Sequence, residues 1–232
     1  MKIQNKLLIG LIAGSVAGRA MEIFKTKDNV NPNTETIFNL YKDTPVIDKT
    51  AYIHHFASVI GSVNIKKETF VGPFASIRGD EGLKIYIGDY SNIQDGAVIH
   101  GMKNFEFGSN VVMNSVFKDN SPFSVYISES CTLAPQSQIF GPARIDSNVF
   151  IGMQCLIFDS YVQENVVIEP GAKVIGVIIP KNSYVQAGRV ITKQEDANQL
   201  PKIKEEYRYF NLNEKTVNAH RELALGYQED KK

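Results

Sequence analysis

Aliphatic residues recur at every sixth position between Val59 and Val174, and this period constrains the fold more than any other feature. A six-residue period fits neither an α-helix nor a simple alternating strand. It is typical of a parallel β-helix of hexapeptide repeats, in which each coil covers the apolar side of the next. The sequence therefore predicts a mainly β fold. The sixteen aliphatics are Val59, Ile65, Val71, Ile77, Ile87, Ile93, Ile99, Ile127, Leu133, Ile139, Ile145, Ile151, Ile157 and, after a one-residue slip, Val162, Ile168 and Val174.

The period, together with the charge and apolar pattern outside it, divides the chain into four segments. Residues 1–20 contain Lys2, Lys6 and an uncharged run from Leu7 to Gly18, which predicts a signal peptide or membrane anchor, with a packed amphipathic helix as the alternative. Residues 21–50 form a polar arm or linker. Residues 51–190 form the β-helix, interrupted by an Asn-rich loop at 101–124, and residues 191–232 form a helical segment.

The helical segment carries one apolar face. A short helix is expected from Glu195 to Leu200, followed by a longer helix that Asn211 or Asn213 caps. On the longer helix, residues at three- and four-residue spacing share a face that should lie back along the coils. They are Val217, His220, Ala224 and Tyr227.

Charge and cysteine content indicate what the chain does not do. Lys plus Arg equals Asp plus Glu, and no basic run with interleaved aromatics is present, so nothing indicates nucleic-acid binding. The two cysteines, Cys131 and Cys155, occupy small inward positions of their hexads and should be buried free thiols. They are four hexads apart and so fall on different faces, which argues against a disulfide.

Four stretches together give a family resemblance. They are Ala75–Glu81, Gly88–His100, Gln136–Pro142 and Phe150–Gln154. The chain from Pro45 to Tyr227 resembles the gamma-class carbonic anhydrases, most closely the archaeal type. The resemblance implies a left-handed β-helix, a homotrimer and a metal site between each pair of subunits, where zinc or iron produces the hydroxide that attacks carbon dioxide.

The metal ligands are the part of the family pattern that this chain lacks. Three neutral imidazoles hold such an ion and leave room for water, whose pKa falls from about 15.7 to about 7. His100 matches the family's first histidine, but Pro135 and Phe140 stand where the other two belong. Neither side chain has a donor atom. The sequence therefore predicts a degenerate site with no metal, and zinc or iron only if unexpected donors complete it.

Other polar residues of the family's site are retained. Glu81, Asn92 and Gln94 match its active-site residues, and the resemblance places Gln94 beside the metal-bound hydroxide. Arg78 and Asp80 match a pair that joins subunits. The family's acidic loop carries a proton-shuttling glutamate that corresponds here to Lys103 or is missing.

Three further histidines are candidate replacement ligands. His54 and His55 could reach a neighbouring subunit, but adjacent residues of a strand point to opposite faces, so only one could serve. Surface or edge positions are the simpler interpretation. His220 is expected to be packed or hydrogen-bonded.

Three functions follow from these observations. The first is a non-catalytic homotrimer that serves as a structural or partner-binding subunit, within a larger membrane-associated assembly. The second is a carbonic anhydrase with an altered metal site. The third is a hexapeptide acyltransferase, which shares the coil. The N-terminal segment favours an extracytoplasmic location, secreted or membrane-anchored, with the cytoplasm as the alternative.

Overall fold

The computed structural model describes residues 29–106 and 108–229. The predicted signal peptide or anchor at residues 1–20 lies outside this part of the chain. Within it, no helix combines the length and apolar character needed to cross a membrane. The described residues form a three-sided parallel β-helix followed by two α-helices, so the predicted fold class is confirmed.

Two faces of the β-helix belong to one thirteen-stranded sheet, because two long strands, β17 (Gln138–Ile145) and β19 (Leu156–Val162), continue around the corner between them. The first face contains β1 (Val30–Asn31), β4 (Ser58–Gly61), β7 (Ser76–Gly79), β10 (Val98–His100), the first halves of β17 (Gln138–Ile145) and β19 (Leu156–Val162), β21 (Lys173–Ile175) and β24 (Val190–Ile191). The second face contains β2 (Val46–Ile47), β5 (Val63–Ile65), β8 (Ile85–Ile87), β15 (Val125–Ile127), the second halves of β17 and β19, and β22 (Ile178–Ile179).

The third face is a separate seven-stranded sheet. Its strands are β3 (Tyr52–Ile53), β6 (Phe70–Val71), β9 (Asn92–Ile93), β16 (Thr132–Leu133), β18 (Phe150–Ile151), β20 (Val167–Ile168) and β23 (Tyr184–Val185).

The core is the column of aliphatics that the six-residue period predicts. All sixteen periodic residues are at most 1% exposed and belong to one continuous cluster. Cys131 and Cys155 are buried within it as free thiols. Burying a large aliphatic side chain stabilises a fold by about 1.5–3 kcal/mol, so the stack as a whole supplies the main driving force.

The one-residue slip in the period has a structural cause at a corner. Phe140 pairs with Phe158, but Ala143 pairs with Ser160, so β19 crosses the corner with one residue fewer than β17. Asp159 makes the shorter crossing with a φ of +47°. The inward positions after this point are therefore displaced by one residue.

The two helices close different parts of the stack. Helix α1 (Gln194–Asn198) packs on β22 and β24 at the end of the coils, where Ala197 joins the core. Helix α2 (Leu212–Glu229) lies along the third face from β16 to β3, as the sequence predicted. Asn213 does not cap it, because it lies inside the helix and its side-chain oxygen, the atom that a cap uses, has no hydrogen-bond partner among the described residues. Its Nδ2 donates to Ser130 O at 2.8 Å and to Asn148 Oδ1 at 2.6 Å.

Three inserted segments leave the stack at the corner between the first and second faces. They are the arm segment 32–45, the short loop 80–84 and the long loop 101–124. Elsewhere at most two residues separate the strands at this corner. The long loop contains two antiparallel hairpins and a 3₁₀ turn, with strands β11 (Phe105–Glu106), β12 (Ser109–Asn110), β13 (Val116–Lys118) and β14 (Ser121–Phe123).

Candidate functional site

A column of aligned side chains on the first face contains His100. In-register pairing of parallel strands places residues of the same parity side by side, and His100 lies between Arg78 and Phe140. The rings of His100 and Phe140 stack with centroids 5.0 Å apart and planes at 11°. Phe140 in turn meets Phe158 edge to face at 5.6 Å. We call these four residues the histidine column.

Both ring nitrogens of His100 face oxygen atoms. Nδ1 lies 2.6 Å from the carbonyl oxygen of Gly101, which only accepts, so Nδ1 carries a hydrogen. Nε2 lies 3.1 Å from Oε1 of Glu81. The imidazole therefore has no lone pair directed into open space, and its nearest acidic neighbour is the Glu81 carboxylate.

Arg78 and Asp80 pair with each other within the chain. Arg78 Nη2 is 3.0 Å from Asp80 Oδ2 and 3.9 Å from Glu81 Oε1. Asp80 Oδ1 is buried and has no hydrogen-bond partner among the described residues. The role of Arg78 and Asp80 between subunits stays a prediction.

Asn92 and Gln94 lie on the third face, away from the histidine column. Asn92 donates from Nδ2 to Thr132 Oγ1 at 3.0 Å, and Gln94 donates from Nε2 to Asn92 Oδ1 at 2.8 Å. Gln94 also donates its backbone N–H to Leu133 O at 2.9 Å, so it stands next to the Ala134–Pro135 segment of the coil above. The two positions where the family's histidines are replaced, 135 and 140, thus lie on opposite sides of one corner.

A cavity of about 360 Å³ separates Gln94 from helix α2, and we call it the glutamine cavity. Its walls are mainly apolar and include Ala134, Phe150, Met153, Leu212 and His220. His220 Nδ1 lies 2.9 Å from Thr216 O, and its ring meets Phe70 edge-on at 5.2 Å. His220 is therefore packed and hydrogen-bonded, as the sequence indicated.

The predicted geometry of His54 and His55 is wrong. They follow β3 in a turn rather than lying in a strand, so strand alternation does not separate them. Their rings stack with centroids 4.3 Å apart. Lys103, at the position of the family's acidic loop, forms an ion pair with Glu106.

The residues of one chain do not fit a three-imidazole metal site. Among the residues that the structure describes, the potential ligand beside His100 is Glu81, and the neighbouring ladder position is filled by the Phe140 ring. Across residues 29–106 and 108–229, no three His, Cys, Asp or Glu side chains come together in a way that could hold an ion. The residues that the resemblance assigns to one site lie on two faces of the chain.

The arrangement defines a hexapeptide-repeat β-helix protein with a divided polar site. The sequence is 45% identical over 202 residues to carbonic anhydrase from Methanosarcina thermophila, covering 87% of this chain and 82% of that protein. It is 26% identical over 155 residues to mitochondrial gamma carbonic anhydrase 1 from Arabidopsis thaliana, covering 67% of this chain and 50% of that protein. The chain belongs to the gamma-class carbonic anhydrase family.

Two further comparisons bear on the fold and on assembly. The carboxysome assembly protein CcmM of Nostoc sp. is 33% identical over 181 residues, which are 78% of this chain but 31% of that protein. An X-ray structure of a Bacillus cereus protein described as an acetyltransferase has a TM-score of 0.65 at 19% identity, covering 86% of this chain and 96% of that one. That likeness shows the fold alone. No family model matches the sequence.

Proposed function

We propose that this chain forms a homotrimer that has lost the metal chemistry of its family and serves as a structural or partner-binding subunit. The observation that carries the proposal is the state of the His100 imidazole. One nitrogen donates to Gly101 O, the other faces Glu81, and the ring stacks on Phe140 instead of on a second imidazole. A catalytic zinc site needs three protein ligands. Of the three imidazoles that the family uses, this sequence keeps His100 and has Pro135 and Phe140 at the other two positions.

Two apolar parts of the divided site support a specific contact between neighbouring subunits. Phe140 is 36% exposed in the single chain, and the glutamine cavity beside Gln94 is mainly apolar. In the proposed trimer, the histidine column of one subunit packs near the glutamine cavity of its neighbour. Covering the exposed third of the phenyl ring contributes about 0.5–1 kcal/mol per interface, taken as a fraction of full phenylalanine burial.

Phe140 also changes the chemistry of the site. A benzyl side chain occupies the volume where the family's third imidazole stands, and it neither binds an ion nor hydrogen-bonds a water molecule. The retained residues Glu81, Asn92 and Gln94 then hold polar contacts of their own chain. The proposed role is recognition and assembly rather than hydration of carbon dioxide.

The wider setting of this subunit is part of the proposal. One relative is an assembly protein of the carboxysome, so family members include components of larger structures. We extend this to a membrane-associated, extracytoplasmic assembly for the present chain, which rests on the apolar run from Leu7 to Gly18. Recovery of the native protein from the membrane fraction of its own cells, lost when residues 1–20 are removed, is the expected result.

One observation favours the second candidate, a carbonic anhydrase with an altered site. The relay from Thr132 through Asn92 to Gln94 is intact, and Glu81 still faces His100. If neighbouring subunits supply further donors, these residues could orient water at an ion. This candidate predicts about one bound metal per subunit in the wild-type protein.

The deciding experiment compares the wild-type protein with a variant that regains the family's ligands. Protein purified without oxygen is analysed for zinc and iron, and carbon dioxide hydration is measured by stopped flow. We expect little metal and no hydration above the blank for wild type, and zinc binding for the double variant Pro135→His/Phe140→His. Each single substitution is the matched control and should bind less zinc, because it supplies one ligand fewer.

One combination of results would contradict the proposal. Stoichiometric zinc or iron in wild-type protein, together with hydration that disappears in His100→Ala, would contradict the non-catalytic proposal and favour the altered-site enzyme.

A further inference from the structure

The Glu81 side chain lies on a segment outside the strand ladders of the β-helix. The short loop 80–84 connects β7 to β8 and has no ladder partner, whereas the coil below crosses the same corner with Ser62 alone. Yet the Glu81 carboxylate is placed 3.1 Å from Nε2 of His100. Arg78 of β7 contacts Asp80 and Glu81, and Ser124, directly before β15, donates to Leu83 O and Lys84 O at 2.9 Å. The backbone groups on either side of Glu81 are held in addition by two segments outside the stack.

The first support comes from the arm segment, about forty residues earlier in the chain. Asn39 is only 7% exposed, and both ends of its amide bind the loop. Its Nδ2 donates to the carbonyl oxygen of Asp80, and its Oδ1 accepts from the Gly82 N–H at 2.8 Å. These two contacts fall on either side of Glu81.

The second support comes from the long loop. Asn104 is fully buried, its Oδ1 accepts from the Leu83 N–H, and its own N–H donates to Glu81 O at 3.3 Å. Its Nδ2 is anchored by Ser124 Oγ at 2.7 Å and by Asn114 O. Gly82 adopts a φ of +108°, and a Cβ there would lie 2.3 Å from Asn104 Oδ1.

We propose that Asn39 and Asn104 form an amide clamp that positions Glu81 against His100. Three segments far apart in sequence meet at one corner, and the clamp uses the arm and the long loop to hold the short loop between them. The arm segment therefore contributes to the site through Asn39, although it lies outside the coils. When Asn39 is released, the loop loses its contacts at Asp80 and Gly82, on either side of Glu81, and the Glu81 carboxylate moves away from Nε2 of His100. The inference holds whether or not the trimer binds metal.

Two measurements on the full-length protein test the clamp. Hydrogen exchange follows the amides of Gly82 and Leu83, and ¹³C-labelled histidine reports the ring of His100, assigned through His100→Gln. In Asn39→Ala we expect the Gly82 amide to exchange at least about tenfold faster, and the His100 ring signal to shift. In Asn104→Ala the larger change should fall on Leu83.

Two further variants separate positioning from general loss of structure. Asn39→Asp keeps the acceptor for Gly82 N–H but turns a charged oxygen toward the carbonyl oxygen of Asp80. The Gly82 amide should therefore stay more protected than in Asn39→Ala, while the His100 ring signal still shifts. Asn165→Ala removes an exposed amide that links Asn148 and Asn182 at another corner, and both readouts should stay unchanged.

Three results would overturn the proposal. The first is unchanged Gly82 exchange in Asn39→Ala. The second is faster exchange without any change at His100, because the amides would then order the loop without positioning Glu81. The third is an equal response in Asn165→Ala. Metal content and hydration are measured separately, so failure of the proposed function leaves these outcomes distinguishable.

Discussion

Replacing Leu133 by alanine tests whether the coils stabilise each other through their inward residues. Leu133 is 0% exposed, and its neighbours in the ladder are Ile93 in the coil below and Ile151 in the coil above. The substitution removes three carbon atoms between two bulky side chains. Because the coils above and below are held by their own ladders, the gap cannot close by a simple shift.

The expected size of the effect follows from burial. A leucine-to-alanine change at a fully buried site costs about 2–5 kcal/mol of unfolding free energy, which includes the cavity left behind. Leu223→Ala is the matched control, because Leu223 is 44% exposed on α2. Leucine and alanine have similar helix propensities, so that change should cost about 1 kcal/mol or less.

Equilibrium urea unfolding at one fixed protomer concentration measures both values, since association shifts the apparent stability of an oligomer. We expect Leu133→Ala to lower the unfolding free energy by at least about 2 kcal/mol more than Leu223→Ala does. Equal losses in the two variants would refute the reasoning that the inward column is the main stabilising feature.

Three further outcomes are expected. Phe140→Ala should weaken the proposed trimer, so that in analytical ultracentrifugation it dissociates at protein concentrations at which the wild type remains associated. Unchanged association would show that Phe140 does not contribute to the interface. Burial raises the pKa of the Cys131 thiol to about 12 and of Cys155 to about 11. Folding therefore favours the neutral thiols, so a thiol reagent should react at pH 8 only after unfolding, and stability should decline above about pH 9, where the unfolded thiols ionise. Gly82→Ala should speed exchange of the Leu83 amide, because its Cβ displaces Asn104.

The core of this protein could be predicted from sequence because one physical rule repeats along it. Each inward position needs an aliphatic side chain at a spacing of six, so the pattern marks both the coils and their phase. The slip before Val162 was visible for the same reason, although its cause, the shorter crossing at Asp159, needed coordinates. The apolar face of α2 could also be predicted from the sequence, because helical spacing is a local property.

The site was less predictable because its parts meet through contacts that have no period. The family resemblance identifies His100, Pro135 and Phe140 as positions of the family's metal ligands. It does not reveal that positions 135 and 140 of one chain lie on two sides of a corner. The bond from Asn39 to Asp80 joins residues 41 positions apart, and nothing in the polar arm distinguishes Asn39 from its neighbours. The predicted strand at His54 and His55 is wrong because β3 ends at Ile53 and a turn follows it.

The shared corner of the three inserted segments has a consequence for how such a protein can change over time. The chain departs and rejoins at the same edge, and β10 and β15 on either side of the long loop still pair with their neighbours in register. Lengthening a flexible loop is thermodynamically mild, about 0.6 kcal/mol for each doubling. One residue added within a strand would instead turn the rest of that strand to the opposite face. The one-residue difference at Asp159 is absorbed because it falls at this same edge. Insertions are therefore tolerated best at this one edge of the β-helix and are disfavoured within the strands.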